Sequence, residues 1–226
     1  MNAHLYMGNR NYSSWSLRPW LALSWAEIAF TESVIELDQP GYGSNQIAAV
    51  LAVSPTGKVP ALRVDGQIIY DSLAISEWAA ENTRAAPLLP ADSVQRARVR
   101  SAVCEMHSGF AALRRDLTMN IRRRCKAYGL PPETLSDIAR VDQLFVEARR
   151  EHAAQGPYLF GARSLADAFY APVATRFRTY AIALSSEAQA YCDVLLNDAA
   201  FLLWEQRVLA EPQMPFTRAN HDALYP

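Results

Sequence analysis

The sequence predicts an α/β domain followed by an all-helical domain. Three observations carry this prediction: strand and helix patterns alternate up to residue 82, Asp65-Gly66 separates two strand-like runs, and strand signals disappear after residue 91. The order of the first patterns is β-α-β-α-β-β-α. We therefore expect an α/β domain over residues 1–82, a linker over 83–91 and a helical domain over 92–226.

The first helix is predicted to begin at Ser16. Pro19 has to lie in the first turn, because a proline deeper in a helix would clash with the carbonyl four residues before it. Ser16 is then the N-cap, Trp20 and Leu23 belong to the apolar face, and the helix ends near Ala26. A short strand over residues 4–7 precedes this helix.

The rest of the first domain follows from strand alternation and turn residues. Asp65-Gly66 is among the strongest hairpin signals, because both turn positions need positive φ. Asp71 or Ser72 is the predicted N-cap of the helix that follows the hairpin. The remaining predicted elements are a strand over 30–37, a loop over 38–44, a helix over 45–52, a turn over 54–57 and hairpin strands over 61–64 and 67–70.

The second half has helical spacing throughout. Apolar residues at three- and four-residue steps predict one long helix over Ser93–Arg124, and Ser164 with Asp167 forms a capping box before a helix interrupted or kinked at Pro172. Further helices are predicted around residues 138–148, 187–196 and 199–210, and an extended tail over 212–226 is expected to pack through Met214, Phe216 and Tyr225.

The composition indicates a globular chain without a strongly charged partner. Half of the 226 residues are hydrophobic, and 22 basic against 23 acidic residues leave a net charge of −1. We therefore expect neither nucleic-acid nor membrane binding, and interpret the basic run over residues 122–126 as a solvated helix end. The absence of a long apolar run and of a secretion signal favours the cytoplasm.

The cysteines and histidines show no metal or disulfide spacing. Cys104, Cys125 and Cys192 are odd in number and include no Cys-x-x-Cys pair. Reduced, buried thiols and no metal are the prediction.

The serines ahead of the first helix indicate an anion site. Ser13 and Ser14 lie just before the predicted helix, where backbone N–H groups and the helix dipole favour negative charge. Simple capping is the alternative explanation of the same residues.

The order of these motifs resembles the glutathione transferase superfamily. Lys58-Val59-Pro60 enters a hairpin and Asp71-Ser72-Leu73-Ala74-Ile75 leaves it, and Ser13-Ser14-Trp15-Ser16 is similar to the Ser-Ser-Cys-Ser motif of the zeta class, which includes maleylacetoacetate isomerase. The resemblance spans nearly the whole chain. It implies a thioredoxin-like first domain that binds glutathione, a helical domain that binds the second substrate, and a homodimer.

The resemblance also implies the residues that bind glutathione. Pro60 would follow a cis peptide bond and Val59 would pair through its backbone with the cysteinyl part of glutathione. Asp71 would face the γ-glutamyl ammonium, Ser72 would donate to the γ-glutamyl carboxylate, and Lys58 could meet the glycine carboxylate.

The glutathione thiol has to ionise before it attacks an electrophile. Its pKa is near the free-cysteine value of about 8.5, so a site that lowers this by ~2 units supplies about 2.7 kcal/mol. A serine hydroxyl and a helix N-terminus can do this together. Ser13, which aligns with the zeta-class serine, is the first choice and Ser14 the second, while Tyr6 and Tyr12 are rivals because other classes use a tyrosine there.

The second substrate is predicted to contact Met106, Phe110 and Arg114, although Met and Phe at this spacing are also typical of a bundle core. Trp15 replaces the cysteine of the zeta motif, which removes the residue for cysteine-based chemistry. The zeta-class arginine after Pro172 is out of register, since Thr179 occupies its place while Arg176 and Arg178 lie nearby, and this disfavours acidic substrates.

The sequence thus favours a serine-dependent glutathione transferase acting on a small hydrophobic electrophile. Three alternatives stay open: a glutathione-dependent isomerase of the maleylacetoacetate type, a glutathione peroxidase or reductase, and a non-catalytic interaction protein on the same fold.

Overall fold

A computed structural model describes residues 1–212, which form an α/β part followed by a helical part. The α/β part consists of β1 Ala3–Gly8, α1 Ser14–Trp25, β2 Thr31–Ile35, α2 Ala48–Leu51, β3 Ala61–Val64, β4 Gln67–Tyr70 and α3 Ser72–Glu81. The helical part consists of α4 Ser93–Ser108, α5 Ala111–Asp116, α6 Pro132–His152, α7 Leu165–Thr179, α8 Ser186–Leu196 and α9 Ala199–Ala210. The predicted fold class is confirmed, and so is the β-α-β-α-β-β-α order of the α/β part.

The four strands form one mixed sheet in the order β2-β1-β3-β4. β1 runs parallel to β2 with Leu5 opposite Glu32, and antiparallel to β3 with Leu5 opposite Leu62. β3 and β4 form the predicted hairpin, and both turn residues have positive φ, 46° at Asp65 and 88° at Gly66. The parallel pair is joined through α1, which therefore begins at the end of the central strand β1.

The core is continuous between the two parts. Helix α1 packs against both α3 and α7, and Leu5, Leu21, Ile75 and Phe169 are all fully buried. Helix α7, in which every residue except Arg178 is buried, packs against α1 and α3 and so joins the helical part to the α/β part. The N-terminus of α1 is thereby held at the junction of the two parts.

Helix α1 begins earlier than predicted. Its N-cap is Ser13, whose side chain accepts from the backbone N–H of Ser16, so the prediction that Ser16 caps the helix is wrong. Ser16 instead lies inside the first turn, where its hydroxyl accepts from the N–H of Gly8 across 3.1 Å. Pro19 is the sixth residue of the helix, three positions deeper than expected. Two other elements are shorter than predicted. The strand predicted over 30–37 covers Thr31–Ile35, and the helix predicted over 45–52 covers Ala48–Leu51.

The long helix predicted over Ser93–Arg124 is wrong. Helix α4 ends at Ser108, where the Gly109 N–H closes on the carbonyl of Glu105, and Phe110 takes a left-handed conformation with φ of 54°. A side chain on Gly109 would lie 2.6 Å from the Glu105 carbonyl oxygen, so a glycine is needed for this close approach. Apolar residues continue at three- and four-residue steps past this break, so the apolar spacing alone did not predict the end of the helix.

The segment between α5 and α6 is irregular, so the basic run is not a helix end. The Arg122 guanidinium donates to the carbonyls of Val208 and Glu211, and Arg124 lies 3.9 Å from Glu205. This run therefore connects the irregular segment to α9.

Two predictions for the helical part have different outcomes. The capping box is confirmed, because Asp167 accepts from the N–H of Ser164 across 2.7 Å and also from the N–H of Leu159 across 3.0 Å. Helix α7 is not interrupted at Pro172 and runs through it to Thr179. The predicted extended tail, with Met214, Phe216 and Tyr225, lies outside the described residues.

The cysteines do not pair with one another. Cys192 is buried and Cys125 is half-buried, but Cys104 is exposed on α4, so the prediction of buried thiols fails there. Within residues 1–212, no group of His, Cys, Asp or Glu has the arrangement of a metal site. Nor does any helix in this range have the length and apolar character needed to cross a bilayer.

Candidate functional site

A cleft of about 830 Å³ lies between the α/β part and the helical part. Its floor is the N-terminus of α1, one wall is built by the segment before β3 and the start of α3, and the other wall comes from α5, the residues after it, and α7. Among the lining residues are Tyr12, Ser13, Ser14, Trp15, Tyr42, Lys58, Val59, Pro60, Asp71, Ser72, Arg114, Arg115, Thr118, Met119 and Arg176.

Most of the predicted site residues line this cleft. The predicted residues that line it come from distant parts of the chain and are Ser13, Ser14, Lys58, Val59, Pro60, Asp71, Ser72 and Arg114. Met106 and Phe110 are not among the lining residues; Met106 is fully buried and Phe110 is 7% exposed. Both belong to the core, so their predicted place in the substrate pocket is corrected.

The two serines at the N-terminus of α1 have different surroundings. Ser13 donates its hydroxyl proton to the Ser16 Oγ across 2.8 Å while it accepts from the Ser16 N–H. Ser14, the first residue of the helix, accepts instead from Arg176 across 3.1 Å. The Ser13 hydroxyl is therefore used for capping, whereas the Ser14 hydroxyl keeps its proton for another acceptor.

Arg176, which the sequence analysis noted only as a neighbour of the zeta-class arginine position, lines the cleft. It is 4% exposed on α7, and its guanidinium donates to Ser14 and to the carbonyl of Pro172. Burial, and next the charge of Arg114, lower its pKa to about 10. Thr179, expected at the zeta-class arginine position, donates to the carbonyl of Asn120 instead. An arginine four residues after Pro172 in a helix of mostly apolar residues was the available signal.

The opposite wall carries the motif before β3. The Val59-Pro60 peptide bond is cis, as the resemblance implied. Pro60 is buried, Val59 is half-buried and Lys58 is exposed beside the cleft. The backbone of Val59 therefore lies on a wall that an extended peptide can reach.

The start of α3 adds a hydroxyl and a carboxylate. The Ser72 Oγ is buried and has no hydrogen-bond partner among residues 1–212. Asp71 caps α3 by accepting from the Leu73 N–H across 2.7 Å, and holds φ of 66° and ψ of 145°, a region that residues with a side chain rarely adopt. Its carboxylate lies 3.6 Å from Nε2 of His107 on α4. A buried hydroxyl without a protein partner beside a helix N-terminus is typical of a group that meets a ligand.

Three arginines make this end of the cleft positive. Arg18 is fully buried behind it, and none of its guanidinium nitrogens has a hydrogen-bond partner in the described chain. Burial, followed by the charges of Arg176 and Arg114, lowers the Arg18 pKa to about 9. Burial also lowers the pKa of Arg114, against the nearby charge of Asp137. Since like charges are crowded here, an anion in the cleft would be stabilised.

The two tyrosine rivals lie in different places. Tyr12 lines the cleft next to Ser13. Tyr6 is half-buried on the sheet, where its ring lies 4.5 Å from the His4 ring and 5.1 Å from the Arg63 guanidinium, and it is not among the lining residues.

Comparison with known proteins shows what the first part of the chain is similar to. Residues 12–82 match the family model described as glutathione S-transferase, N-terminal domain. Over 109 residues the chain is 35% identical to a protein of Drosophila melanogaster named probable maleylacetoacetate isomerase 2. The aligned region covers 48% of this chain and 47% of that protein. The Pseudomonas aeruginosa maleylacetoacetate isomerase is 34% identical over 108 residues, with 46% of this chain and 50% of that protein covered. The chain thus spans about half the length of the curated relatives it matches.

Solved structures agree with the whole fold. A maleyl pyruvate isomerase, described as a bacterial glutathione S-transferase in the zeta class, superimposes with a TM-score of 0.69 at 23% identity, covering 94% of this chain and 100% of the other. A glutathione transferase homologue from Burkholderia with bound glutathione gives a TM-score of 0.67 at 20% identity, covering 93% and 99%. At these identities the similarity shows the fold alone.

Proposed function

We propose that this chain is a member of the glutathione S-transferase family, an enzyme that binds glutathione in the cleft and uses its thiolate to attack a small electrophile. The match of residues 12–82 to the N-terminal domain of that family supports this proposal. The observation that carries the proposal is the Ser14 hydroxyl, which lies at the N-terminus of α1 and accepts from a buried arginine. The resemblance to zeta-class proteins supports the same chemistry.

The thiolate is stabilised by groups at the floor of the cleft. Arg176 donates to the Ser14 oxygen, which polarises the hydroxyl and leaves its proton for the glutathione sulfur. The positive end of α1 and the charge of Arg176 both favour the anion, so they lower the thiol pKa. A drop of ~2 units costs about 2.7 kcal/mol, which one charge-assisted hydrogen bond and the helix end can supply together. Ser14 is therefore favoured over Ser13, the first choice from the sequence.

The peptide part of glutathione is held along the wall formed by the segment before β3 and the start of α3. The Val59 backbone pairs with the cysteinyl unit, the unpartnered Ser72 hydroxyl donates to the γ-glutamyl carboxylate, and Asp71 faces the γ-glutamyl ammonium. Lys58, exposed at the edge of the cleft, is placed to meet the glycine carboxylate. Each charged end of the tripeptide then has a complementary group.

The positive wall favours an electrophile that carries an anionic group. Arg114 and Arg176 both line the cleft, and neither forms an ion pair with a carboxylate within residues 1–212. The hydrophobic electrophile predicted from the sequence fits this wall less well. The doubt about acidic substrates rested on the position of Thr179, and Arg176 supplies the cation that was missing.

A second candidate activity follows from the same two arginines. In a cis-dienoic diacid, the thiolate would add to the conjugated double bond, the resulting single bond would rotate, and elimination would restore the thiolate with the trans product. Glutathione is not consumed, and the two carboxylates would pair with Arg114 and Arg176. The names of the curated relatives, maleylacetoacetate isomerases, favour this alternative.

One experiment separates these activities. Glutathione binding is measured by calorimetry, and turnover is then followed with 1-chloro-2,4-dinitrobenzene, a hydroperoxide and maleylacetone. We expect micromolar to millimolar binding and turnover of the chloroarene or of maleylacetone. Absence of glutathione binding would leave only the non-catalytic alternative, and turnover of the hydroperoxide alone would replace the proposed reaction.

A further inference from the structure

Trp15 stands where the zeta-class motif carries a cysteine, one residue after Ser14 and on the cleft wall. Its side chain is half-buried and contacts two cations. The Arg18 guanidinium carbon lies 4.3 Å from the centre of the indole, and that of Arg114 lies 5.4 Å from it. The ring of His107 meets the indole edge-on at 5.4 Å. The substitution therefore adds a π surface beside the proposed sulfur position.

The two cations depend on this indole to different degrees. Arg18 also lies 5.0 Å from the ring of Phe169 and is fully enclosed by the core, so several groups hold it. Arg114 is only half-buried. Its guanidinium makes one hydrogen bond among the described residues, at 3.2 Å to the carbonyl of His107, and no ion pair there. Trp15 is thus a main contact that restrains Arg114.

The charges of the neighbours make such a restraint necessary. The charges of Arg176 and Arg114 disfavour the charge of Arg18, and the charge of Arg114 disfavours that of Arg176, so the three cations are close together. Without a carboxylate partner, a half-buried guanidinium beside two others would tend to turn toward solvent. An aromatic face attracts a guanidinium through its quadrupole and does not cancel its charge, unlike a carboxylate. Arg114 can then be held in the cleft and still bind an anion.

We propose that Trp15 is a positioning residue that holds the Arg114 guanidinium on the cleft wall and thereby sets a preference for electrophiles bearing a carboxylate. This inference rests on the proposed function and goes beyond it, because it assigns the preference to the one residue that departs from the zeta-class motif. The matched alternative is that Trp15 only fills space beside the first turn of α1.

The test uses two electrophiles that differ in charge alone, 4-chloro-3,5-dinitrobenzoate and its uncharged amide, at saturating glutathione. In both reactions the thiolate attacks the ring carbon that bears chlorine, the C–S bond forms, chloride leaves, and the thiol proton goes to solvent. The ratio of kcat/KM for the benzoate to that for the amide measures the preference for the anion. We expect Trp15→Leu to lower this ratio by about 3- to 30-fold, the range of one cation–π contact, mainly through KM. Trp15→Phe, which keeps an aromatic face, should retain most of it.

A double-variant cycle shows whether Trp15 acts through Arg114. Arg114→Leu should lower the same ratio, and Trp15→Leu together with Arg114→Leu should lower it no further than Arg114→Leu alone. Arg178→Leu is the control and should leave the ratio unchanged, because Arg178 pairs with Glu205 and is not among the cleft residues. If Trp15→Leu does not fold, Trp15→Met takes its place as an apolar side chain without a ring.

The outcomes separate this inference from the proposed function. A wild-type chain that neither binds glutathione by calorimetry nor turns over either electrophile overturns the proposed function, and this inference with it. Turnover with an unchanged ratio in Trp15→Leu, an equal loss for both electrophiles, or fully additive losses in the cycle overturns only the positioning role.

Discussion

The guanidinium of Arg176 donates a hydrogen bond to the hydroxyl of Ser14 across 3.1 Å, between residues 162 positions apart in the chain. Ser14 begins α1 in the α/β part and Arg176 lies near the end of α7 in the helical part. In the proposed mechanism, this contact makes the acidity of a bound thiol depend on the packing of one part against the other.

Replacing Arg176 should make the bound thiol less acidic. Arg176→Leu removes a cation and a donor close to the proposed sulfur, so the thiol pKa of bound glutathione should rise by about 1 unit. Thiolate absorbance of the complex, titrated against pH, measures this. Arg178→Leu is the control, since Arg178 pairs with Glu205 and is not among the cleft residues. If the thiol pKa in Arg176→Leu equals that in the wild type, Arg176 does not stabilise the thiolate.

The two serines should respond differently to loss of the hydroxyl. Ser14→Ala should keep near-normal glutathione affinity and lower kcat/KM about 10- to 200-fold, which is ~1.5 to 3 kcal/mol for a hydrogen bond to a charged group. Ser13→Ala removes an N-cap, so its main effect should be a loss of stability of about 1 kcal/mol. If Ser13→Ala alone shifts the thiolate titration, the assignment reverts to Ser13; if neither does, Tyr12 becomes the candidate.

Ser72→Ala should weaken glutathione binding. Its hydroxyl is buried without a protein partner in the described chain, so its removal costs a hydrogen bond to the ligand, about 1 to 3 kcal/mol in binding free energy, and little in stability. Calorimetry measures the affinity. Ser76→Ala, on the same helix, is the matched control because its hydroxyl already donates to the Ser72 carbonyl. Equal affinities in the two variants would exclude Ser72 from the site.

Acid should destabilise the fold partly through His107. Burial lowers the pKa of His107 from its usual 6.5, the charges of Arg18 and Arg114 lower it further, and Asp71 opposes them. The unfolded chain therefore takes up this proton first. The stability that neutral His107 confers is complete above pH 6.5 and is lost as the pH falls through its folded pKa. Urea unfolding at pH 7.5 and pH 5.5 should show a smaller difference in His107→Gln than in the wild type; an equal difference would contradict this.

The family resemblance further predicts a twofold dimer, joined between the first domain of one subunit and the helical domain of the other. Sedimentation velocity at micromolar concentration should give about twice the mass of the 25.2 kDa chain. A single monomeric species throughout that range would count against the dimer.

The sequence by itself determined the elements and the motifs, because these depend on local chemistry. Period-two and helical apolar spacing predicted the βαβαββα order, Asp65-Gly66 predicted the hairpin, and Ser164 with Asp167 predicted the start of α7. The order of Val59-Pro60 and Asp71-Ser72 predicted a glutathione site, and these residues do line one cleft. The helix break at Gly109 and Phe110 escaped prediction, since apolar spacing continues across it.

Only the tertiary structure decided which side chains meet in the cleft. Arg176 reaches Ser14 because α7 packs against α1, and no spacing along the chain records that contact. For the same reason Met106 and Phe110 entered the core while Trp15 and Arg114 formed the wall. Hydrophobic spacing shows that a helix face is buried, but whether it is buried against another helix or beside a ligand depends on which elements pack together.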